Sequence, residues 1–152
     1  MSNIIGYWDE NGREELVPST NDNTDAQRRE YIQVRLVTYM KAADGETANA
    51  SIDPAFEAYI EDNGGYRYTG IEISYPSFTD LQMEIYSFEC PCLIGFPVGV
   101  YSETRGHSTT GIGYSTTTGN KVKVFDNHSS YAVYQSWDDV DFMFSCNIRN
   151  PI

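Results

Sequence analysis

The chain has 152 residues, of which 40% are hydrophobic and 21% are charged, and this predicts one soluble globular domain with a core of its own. Its formal net charge of −12 argues against nucleic acid and against an anionic membrane as partners. No stretch approaches the roughly 20 apolar residues of a membrane span, and no signal peptide is visible. Three cysteines are too few, and odd in number, for a disulfide framework, so we expect them to be reduced and buried.

The first helical pattern is short and begins abruptly. Ile4, Ile5 and Trp8 form an apolar face, with no capping residue before it. This is typical of the end of a longer helix, so the first helix is expected to be truncated. Because truncation would leave these side chains uncovered, it is expected to favour self-association.

Two further helices are predicted in the N-terminal half. Thr24 and Gln27 match a capping box at the start of a helix over residues 25–42. The next helix has Asp53 as its N-cap and Pro54 at its first helical position, and it ends at the following pair of glycines.

At residue 66 the residue pattern changes from one typical of helices to one typical of strands. A strand over residues 66–75 is followed by a short helix from 76 to about 88, whose expected buried residues are Leu81, Met83, Ile85 and Phe88. Strands are then predicted over residues 92–101, 107–115, 120–126, 131–136 and 141–148. Helices followed by a strand-rich half indicate an α+β fold with an antiparallel sheet.

The predicted strands bring a histidine and an acidic residue close together. His107 opens one predicted strand, and the next strand ends at Asp126 and Asn127. Neighbouring antiparallel strands bring such positions together, and a side chain that holds an imidazole is part of many nucleophilic sites. By strand alternation Asp126 shares the inward face, and Asn127 points outward unless a bulge exchanges them. We favour the Asp126 carboxylate as the partner of His107; an Asn127 amide would orient the ring without adding charge.

Several stretches together suggest a family: residues 3–9, 91–95, 106–114 and 122–126, with shorter ones at 136–138 and 142–143. In this order they resemble the bacterial papain-like cysteine peptidases grouped with the bacteriocin-leader-processing (double-glycine) peptidases. The resemblance implies a papain-like fold, in which a helical N-terminal half packs on an antiparallel β-sheet C-terminal half. It also implies a peptide or protein substrate, with His107 as the catalytic histidine and Asp126 as the residue that orients it.

The sequence departs from this family at the nucleophile. The family's cysteine stands at the N-terminus of the first long helix, with an oxyanion-hole glutamine further upstream, and this sequence contains neither residue. A helix N-terminus and an imidazolium are what lower the pKa of such a thiol. None of Cys90, Cys92 and Cys146 begins a predicted helix, and Ser2 falls too late on the first one to replace the thiol.

Two classes of function remain open. The chain is either the greater part of a cysteine peptidase whose N-terminal segment is missing, or a catalytically inactive papain-like domain that binds a peptide or a protein. The localisation stays open with them: secreted or at the cell surface if a missing segment carries a signal, and cytoplasmic otherwise.

No metal ion or cofactor is expected. Cys90 and Cys92 with His107 could suggest zinc, but paired cysteine ligands are usually separated by two to four residues. The acids within residues 138–141 lack the glycine and the closing glutamate of an EF-hand loop, so a solvated face is expected.

Two glycines and a second histidine have structural explanations. No helix follows Gly111 and Gly113, so they are not a dinucleotide fingerprint, and we expect them to give backbone room beside a packed strand. His128 lies beside serines in a predicted turn and is expected to be solvated.

Overall fold

A computed structural model describes residues 2–13, 15–17, 25–40, 49–126, 128–129 and 131–149. In this part of the chain, four helices and a six-stranded antiparallel sheet make an α+β fold, which confirms the predicted fold class. The chain divides into two compact units, with boundaries inside the first and last strands. The helical unit comprises Ser2–Gly70 with Asn147–Ile152, and the sheet unit is in the main Ile71–Cys146.

The helices are α1 (Ser2–Glu10), α2 (Asp25–Met40), α3 (Ile52–Gly64) and α4 (Phe78–Gln82), and a π-helical turn, Met83–Ser87, continues α4. The strands are β1 (Arg67–Ser74), β2 (Cys92–Phe96), β3 (His107–Ser115), β4 (Lys121–Phe125), β5 (Val133–Ser136) and β6 (Phe142–Arg149). Their order in the sheet is β1-β6-β2-β3-β4-β5.

The apolar face of α1 is covered. Ile4 and Ile5 are fully buried and Trp8 nearly so, which corrects the expectation that this face lies open. The predicted self-association therefore loses the uncovered surface on which it rested. The capping residue proposed for α2, Thr24, lies outside the described residues.

Helix α3 begins two residues before the proline that was expected to start it. It starts at Ile52 after Ser51, so Asp53 lies in its first turn rather than at its N-cap. Gly65 ends the helix in the left-handed conformation, with φ of 60°, as the glycine pair predicted. The buried face of α3 includes Tyr59, whose hydroxyl donates a hydrogen bond to the Leu16 carbonyl at 2.7 Å.

The core of the sheet unit lies on one face of the sheet. Strands β2 and β4, the turn after β5 and helix α4 all contribute side chains to it. Its buried members are Leu81, Cys92, Ile94, Phe96, Val122, Val124, Trp137 and Met143. Burial of these apolar side chains is the main stabilising contribution to the unit.

The π-helical turn changes which side chains the helix buries. Leu81 is buried as predicted, but Met83 and Phe88 are exposed, and Glu84 is buried instead. A π turn holds more residues than an α turn, so the side chains after Gln82 are rotated away from the face that a 3.6-residue period predicts.

Strand β2 ends earlier than expected. The prediction extended it to residue 101, whereas pairing with β3 and β6 stops by Phe96. Pro97 follows and has no N–H group to continue the ladder. The chain then turns through Gly99, whose φ is 102°.

Candidate active site

His107 is the first residue of β3, the strand whose bounds the sequence predicted. Antiparallel pairing sets it opposite Phe96, the last residue of β2. Directly paired residues share a face of the sheet, and Phe96 belongs to the core. The half-buried His107 ring therefore lies at one end of the core face.

Residue 126 contacts this ring, but through its main chain. Nε2 of His107 lies 2.7 Å from the carbonyl oxygen of Asp126. The prediction placed the Asp126 carboxylate here; the structure places the carbonyl instead. A carbonyl oxygen only accepts hydrogen bonds, so Nε2 carries the proton, and a neutral ring then keeps its lone pair on Nδ1. The alternative partner, Asn127, lies outside the described residues.

The Asp126 carboxylate is occupied by the turn that follows β4. It is buried, and Oδ1 accepts the main-chain N–H groups of His128 at 3.0 Å and Ser129 at 2.8 Å. Oδ2 accepts the Ser129 hydroxyl at 3.3 Å. Such bonds to the next residues are how aspartate stabilises a turn. The carboxylate thus shapes the segment that carries His128.

Two opposing effects act on the ionisation of Asp126. Burial raises the pKa of its carboxyl, but the hydrogen bonds from Ser129 and His128, together with the charge of His128, outweigh burial and leave the pKa lowered. A lowered folded-state pKa adds stability above the unfolded value, and that stability is lost as pH falls through the folded value. The turn is therefore held by an ionised aspartate at neutral pH.

Three aromatic rings meet at this end of the sheet. The His107 centroid lies 4.8 Å from that of Tyr101 and 4.8 Å from that of His128. Tyr101 and His128 are stacked, 6.0 Å apart with 16° between their planes. His128 is exposed, as predicted, but it is not simply a solvated turn residue, because it packs on both other rings.

Tyr101 is the site residue that sequence reasoning missed. Its ring also contacts Phe96, at 5.2 Å between centroids. Its hydroxyl is buried and has no hydrogen-bond partner among the described residues. Burial is the main cause that raises the pKa of Tyr101. The nearby Gln135 side chain acts to lower the pKa of this hydroxyl. Nothing in the local pattern around residue 101 indicates this contact, which depends on the chain returning after β2.

The three cysteines are reduced and buried, as predicted. Burial, with smaller contributions from Glu84 and Glu89, raises the pKa of Cys90 to about 11, and burial also raises the pKa of Cys92. A nucleophilic thiol needs a lowered pKa and access to its substrate. Neither Cys90 nor Cys92 has that environment, and Cys146 is fully buried within β6.

We predict that the native chain resists alkylation. In iodoacetamide at about pH 8, near the reference pKa of a thiol, the folded protein should gain no adduct over a period in which the urea-unfolded chain gains three, one for each cysteine. Intact-mass spectrometry counts the adducts. Rapid labelling of Cys90 in the folded state would contradict the prediction, as would a peptide-cleaving activity that alkylation abolishes.

Gly111 has the role predicted for it. A β-carbon at Gly111 would lie 2.9 Å from Cγ1 of Ile94 and 3.1 Å from the sulfur of Cys92, so the strand needs a glycine here. A β-carbon at Gly113 would make only ordinary contacts with Lys123, the nearest at 3.5 Å, so close packing does not explain the second glycine. The β3–β4 pairing shifts register between these two residues.

No metal centre forms among the described residues. In the ranges that the structure describes, no group of three or more His, Cys, Asp or Glu side chains is placed to hold a metal ion. Asp138 and Asp139 are exposed in a 3₁₀ turn that follows β5. No described helix is both long and apolar enough to cross a membrane.

Comparisons with protein-family models, with curated proteins and with solved structures find no match to this chain. The resemblance to papain-like peptidases therefore remains a prediction.

Proposed function

We propose that this chain is a papain-like domain of the cysteine-peptidase type, in which His107 is the general base and the substrate is a peptide. The observation that supports this most is the contact between Nε2 of His107 and the Asp126 carbonyl. It fixes the tautomer that leaves Nδ1 free to accept a proton. A base held by a second group is the arrangement that activates a nucleophile.

The reaction follows from this tautomer. Nδ1 accepts the proton of a thiol, and the thiolate attacks the carbonyl carbon of the peptide bond. The imidazolium keeps its Nε2 hydrogen bond to the Asp126 carbonyl and returns the proton from Nδ1 to the leaving amine. Water then hydrolyses the acyl-thiol. Asp126 acts here through its main chain, so its side chain does not neutralise the imidazolium by direct contact.

The thiol itself is the part of this reaction that no described residue supplies. Cys90, Cys92 and Cys146 are all buried in the sheet unit. The second candidate function is an inactive papain-like domain that binds a peptide. Such a domain would keep the histidine and lack the nucleophile. The burial of all three thiols is the observation that favours this second candidate.

An experiment with an added thiol distinguishes the cysteine peptidase from the inactive peptide-binding domain. The purified chain is mixed with a small alkyl thiol and a library of peptide thioesters, and acyl transfer to the thiol is followed by mass spectrometry. If His107 is the general base, His107→Gln should slow the transfer at least about tenfold. This is below the usual range of general-base contributions, which starts at about 100-fold, because a free thiol is not positioned. Ser108→Ala is the control, since Ser108 is the next residue of β3 and faces the other side.

The outcomes differ clearly. Transfer that is equally fast with and without the His107 side chain contradicts the peptidase proposal. Peptide binding without transfer, seen as shifts of the His107 ring signals in NMR spectra, favours the binding module. Those spectra also report whether the proton is on Nε2 of His107, as the Asp126 carbonyl requires.

A further inference from the structure

Gly113 occupies a strand position that does not itself require a glycine. It pairs with Lys123 of β4, and a β-carbon added there would meet only the Lys123 side chain, at 3.5 Å and 3.7 Å. Its φ is not positive, so the neighbouring register shift does not require a glycine either. Glycine inside a strand lowers stability, and it often marks a place where another backbone or a ligand approaches closely. The face of the sheet above Gly113 is therefore a candidate binding surface.

The pairing of β3, β4 and β5 shows which side chains share this face. The valines of β4 are fully buried in the core, so the residues that alternate with them point to the opposite face. The partner of Lys123 on β5 is Tyr134, so one row of residues crosses all three strands. The lysine face comprises Gly113, Lys121, Lys123, Phe125 and Tyr134. His107 is on the core face, on the other side of the sheet.

The lysine face is positively charged in a strongly acidic chain. It holds two of the three lysines in the sequence, and the chain has 22 acidic residues against 10 lysines and arginines. Strands β3, β4 and β5 contain no aspartate or glutamate, and among the described residues neither lysine forms an ion pair. The Lys123 ammonium instead lies over the Tyr134 ring, 5.9 Å from its centroid. The two cations are thus available to a negatively charged partner.

Aromatic side chains flank the two lysines. Tyr134 is 51% exposed and Phe125 is 39% exposed, so each presents part of its ring to solvent. Two lysines separated by one residue on a strand are about 7 Å apart, and so are two side chains separated by one residue in an extended peptide. An extended segment with acidic residues at alternate positions therefore matches the spacing of Lys121 and Lys123. The room above Gly113 lets the backbone of such a segment lie close to the sheet.

We propose that the lysine face is a docking surface for an acidic polypeptide segment, which binds in extended form with alternate carboxylates on Lys121 and Lys123. This goes beyond the proposed function, because the surface lies on the opposite side of the sheet from His107. A nucleic acid fits less well, since its long run of phosphates is repelled by the rest of a chain with a net charge of −12. A peptide segment brings few charges, and these lie within reach of the two lysines.

Two fluorescein-labelled peptides test the proposal with the full chain. One peptide alternates glutamate with threonine, and the other has glutamine in place of every glutamate. Fluorescence anisotropy should show binding of the glutamate peptide that weakens as salt is added, and much weaker binding of the glutamine peptide. In NMR spectra the amide signals of Gly113, Lys123 and Tyr134 should shift, whereas the ring signals of His107 should not.

Single substitutions locate the surface. Lys121→Gln and Lys123→Gln should each weaken binding of the glutamate peptide about two- to fivefold, as expected for partly exposed ion pairs. Gly113→Ala should weaken it by a similar factor, because its methyl group lies where the backbone of the peptide approaches. Arg29→Gln is the matched control: it removes one positive charge from an exposed residue of α2 and should leave the affinity unchanged.

Several results would overturn the proposal. They are equal affinity for the two peptides, no measurable binding of the glutamate peptide, and lysine variants that bind it no more weakly than Arg29→Gln does. Shifts confined to the His107 ring would place the peptide at the candidate active site instead. Tighter binding of single-stranded oligothymidylate, or a dimer that Lys123→Gln dissociates, would assign the lysine face to nucleic acid or to a second copy of the chain. Failure of acyl transfer to the added thiol, by contrast, bears only on His107.

Discussion

Alanine at Gly111 is expected to lower the free energy of unfolding by about 1–3 kcal/mol, the usual effect of overpacking a core. The new methyl group would lie 2.9 Å from Cγ1 of Ile94 and 3.1 Å from the sulfur of Cys92. Both neighbours are fully buried in a strand paired on both sides, so neither can move away easily. Gly111 does not have a positive φ, and the expected effect is therefore steric rather than conformational.

Gly113→Ala is the matched control. It lies on the same strand, and its new methyl group would make only ordinary contacts, the nearest at 3.5 Å from Lys123. Restricting the unfolded chain should make this variant neutral or slightly more stable, by up to about 1 kcal/mol. Urea unfolding of both variants measures the difference. Equal destabilisation would show that glycine is needed in β3 for a reason other than close packing.

The second large effect concerns Glu84, a carboxyl group buried by the π-helical turn. The Ser145 hydroxyl donates a hydrogen bond to its Oε1 at 2.6 Å. Burial raises the pKa of Glu84, and the Ser145 hydrogen bond opposes this less strongly, so the folded state binds its proton more tightly than the unfolded state does. The stability from Glu84 is therefore fully present below the unfolded pKa and is lost as pH rises through the folded value.

Glu84→Gln should therefore stabilise the protein at neutral pH and not in acid. The amide keeps the size of the side chain and can still accept the Ser145 hydrogen bond, and it carries no charge to bury. The free energy of unfolding of wild type minus that of the variant should become more negative between about pH 4 and pH 8, the range that starts near the reference pKa of glutamate. Denaturant unfolding of both proteins at several pH values across this range measures this difference in the free energy of unfolding.

Ser145→Ala removes the hydroxyl group that donates the hydrogen bond to Glu84. It leaves the buried carboxyl without its donor and should cost about 1–3 kcal/mol at neutral pH, as for other buried polar groups that lose their partner. In the Glu84→Gln background the cost should be smaller, because no charge is left unpaired. If the difference between wild type and Glu84→Gln does not change with pH, the pKa of Glu84 is the same in the folded and unfolded states, which contradicts the prediction.

Local pattern was enough to predict much of the sheet unit. Small residues and glycines bounded by His107 and Ser115 define β3, and the alternation of Val122 and Val124 correctly put residue 126 on the buried face. These are properties of single strands and of neighbours in the sheet. The proximity of His107 to residue 126 follows from the same reasoning.

What the sequence did not predict depends on contacts at longer range or on uncommon backbone forms. The π-helical turn has no periodic signature of its own, so Met83 and Phe88 were wrongly expected to be buried, and Glu84 was missed. The side chain of Asp126 can bond either to a histidine across the sheet or to the N–H groups that follow it. Alternation gives its direction but not which of these partners it takes.

The strand order has a consequence for how the chain reaches its native state. β6 lies between β1 and β2, so the two strands that flank it must leave a place for a segment that is synthesised after all the others. Strands β2 to β5 are consecutive neighbours and can pair as they emerge, but one side of β2 then keeps open main-chain groups until β6 arrives. The sheet is therefore completed late. A chain interrupted before residue 142 would leave one edge of the apolar strand β2 unpaired, and this edge could form hydrogen bonds with other chains and cause aggregation.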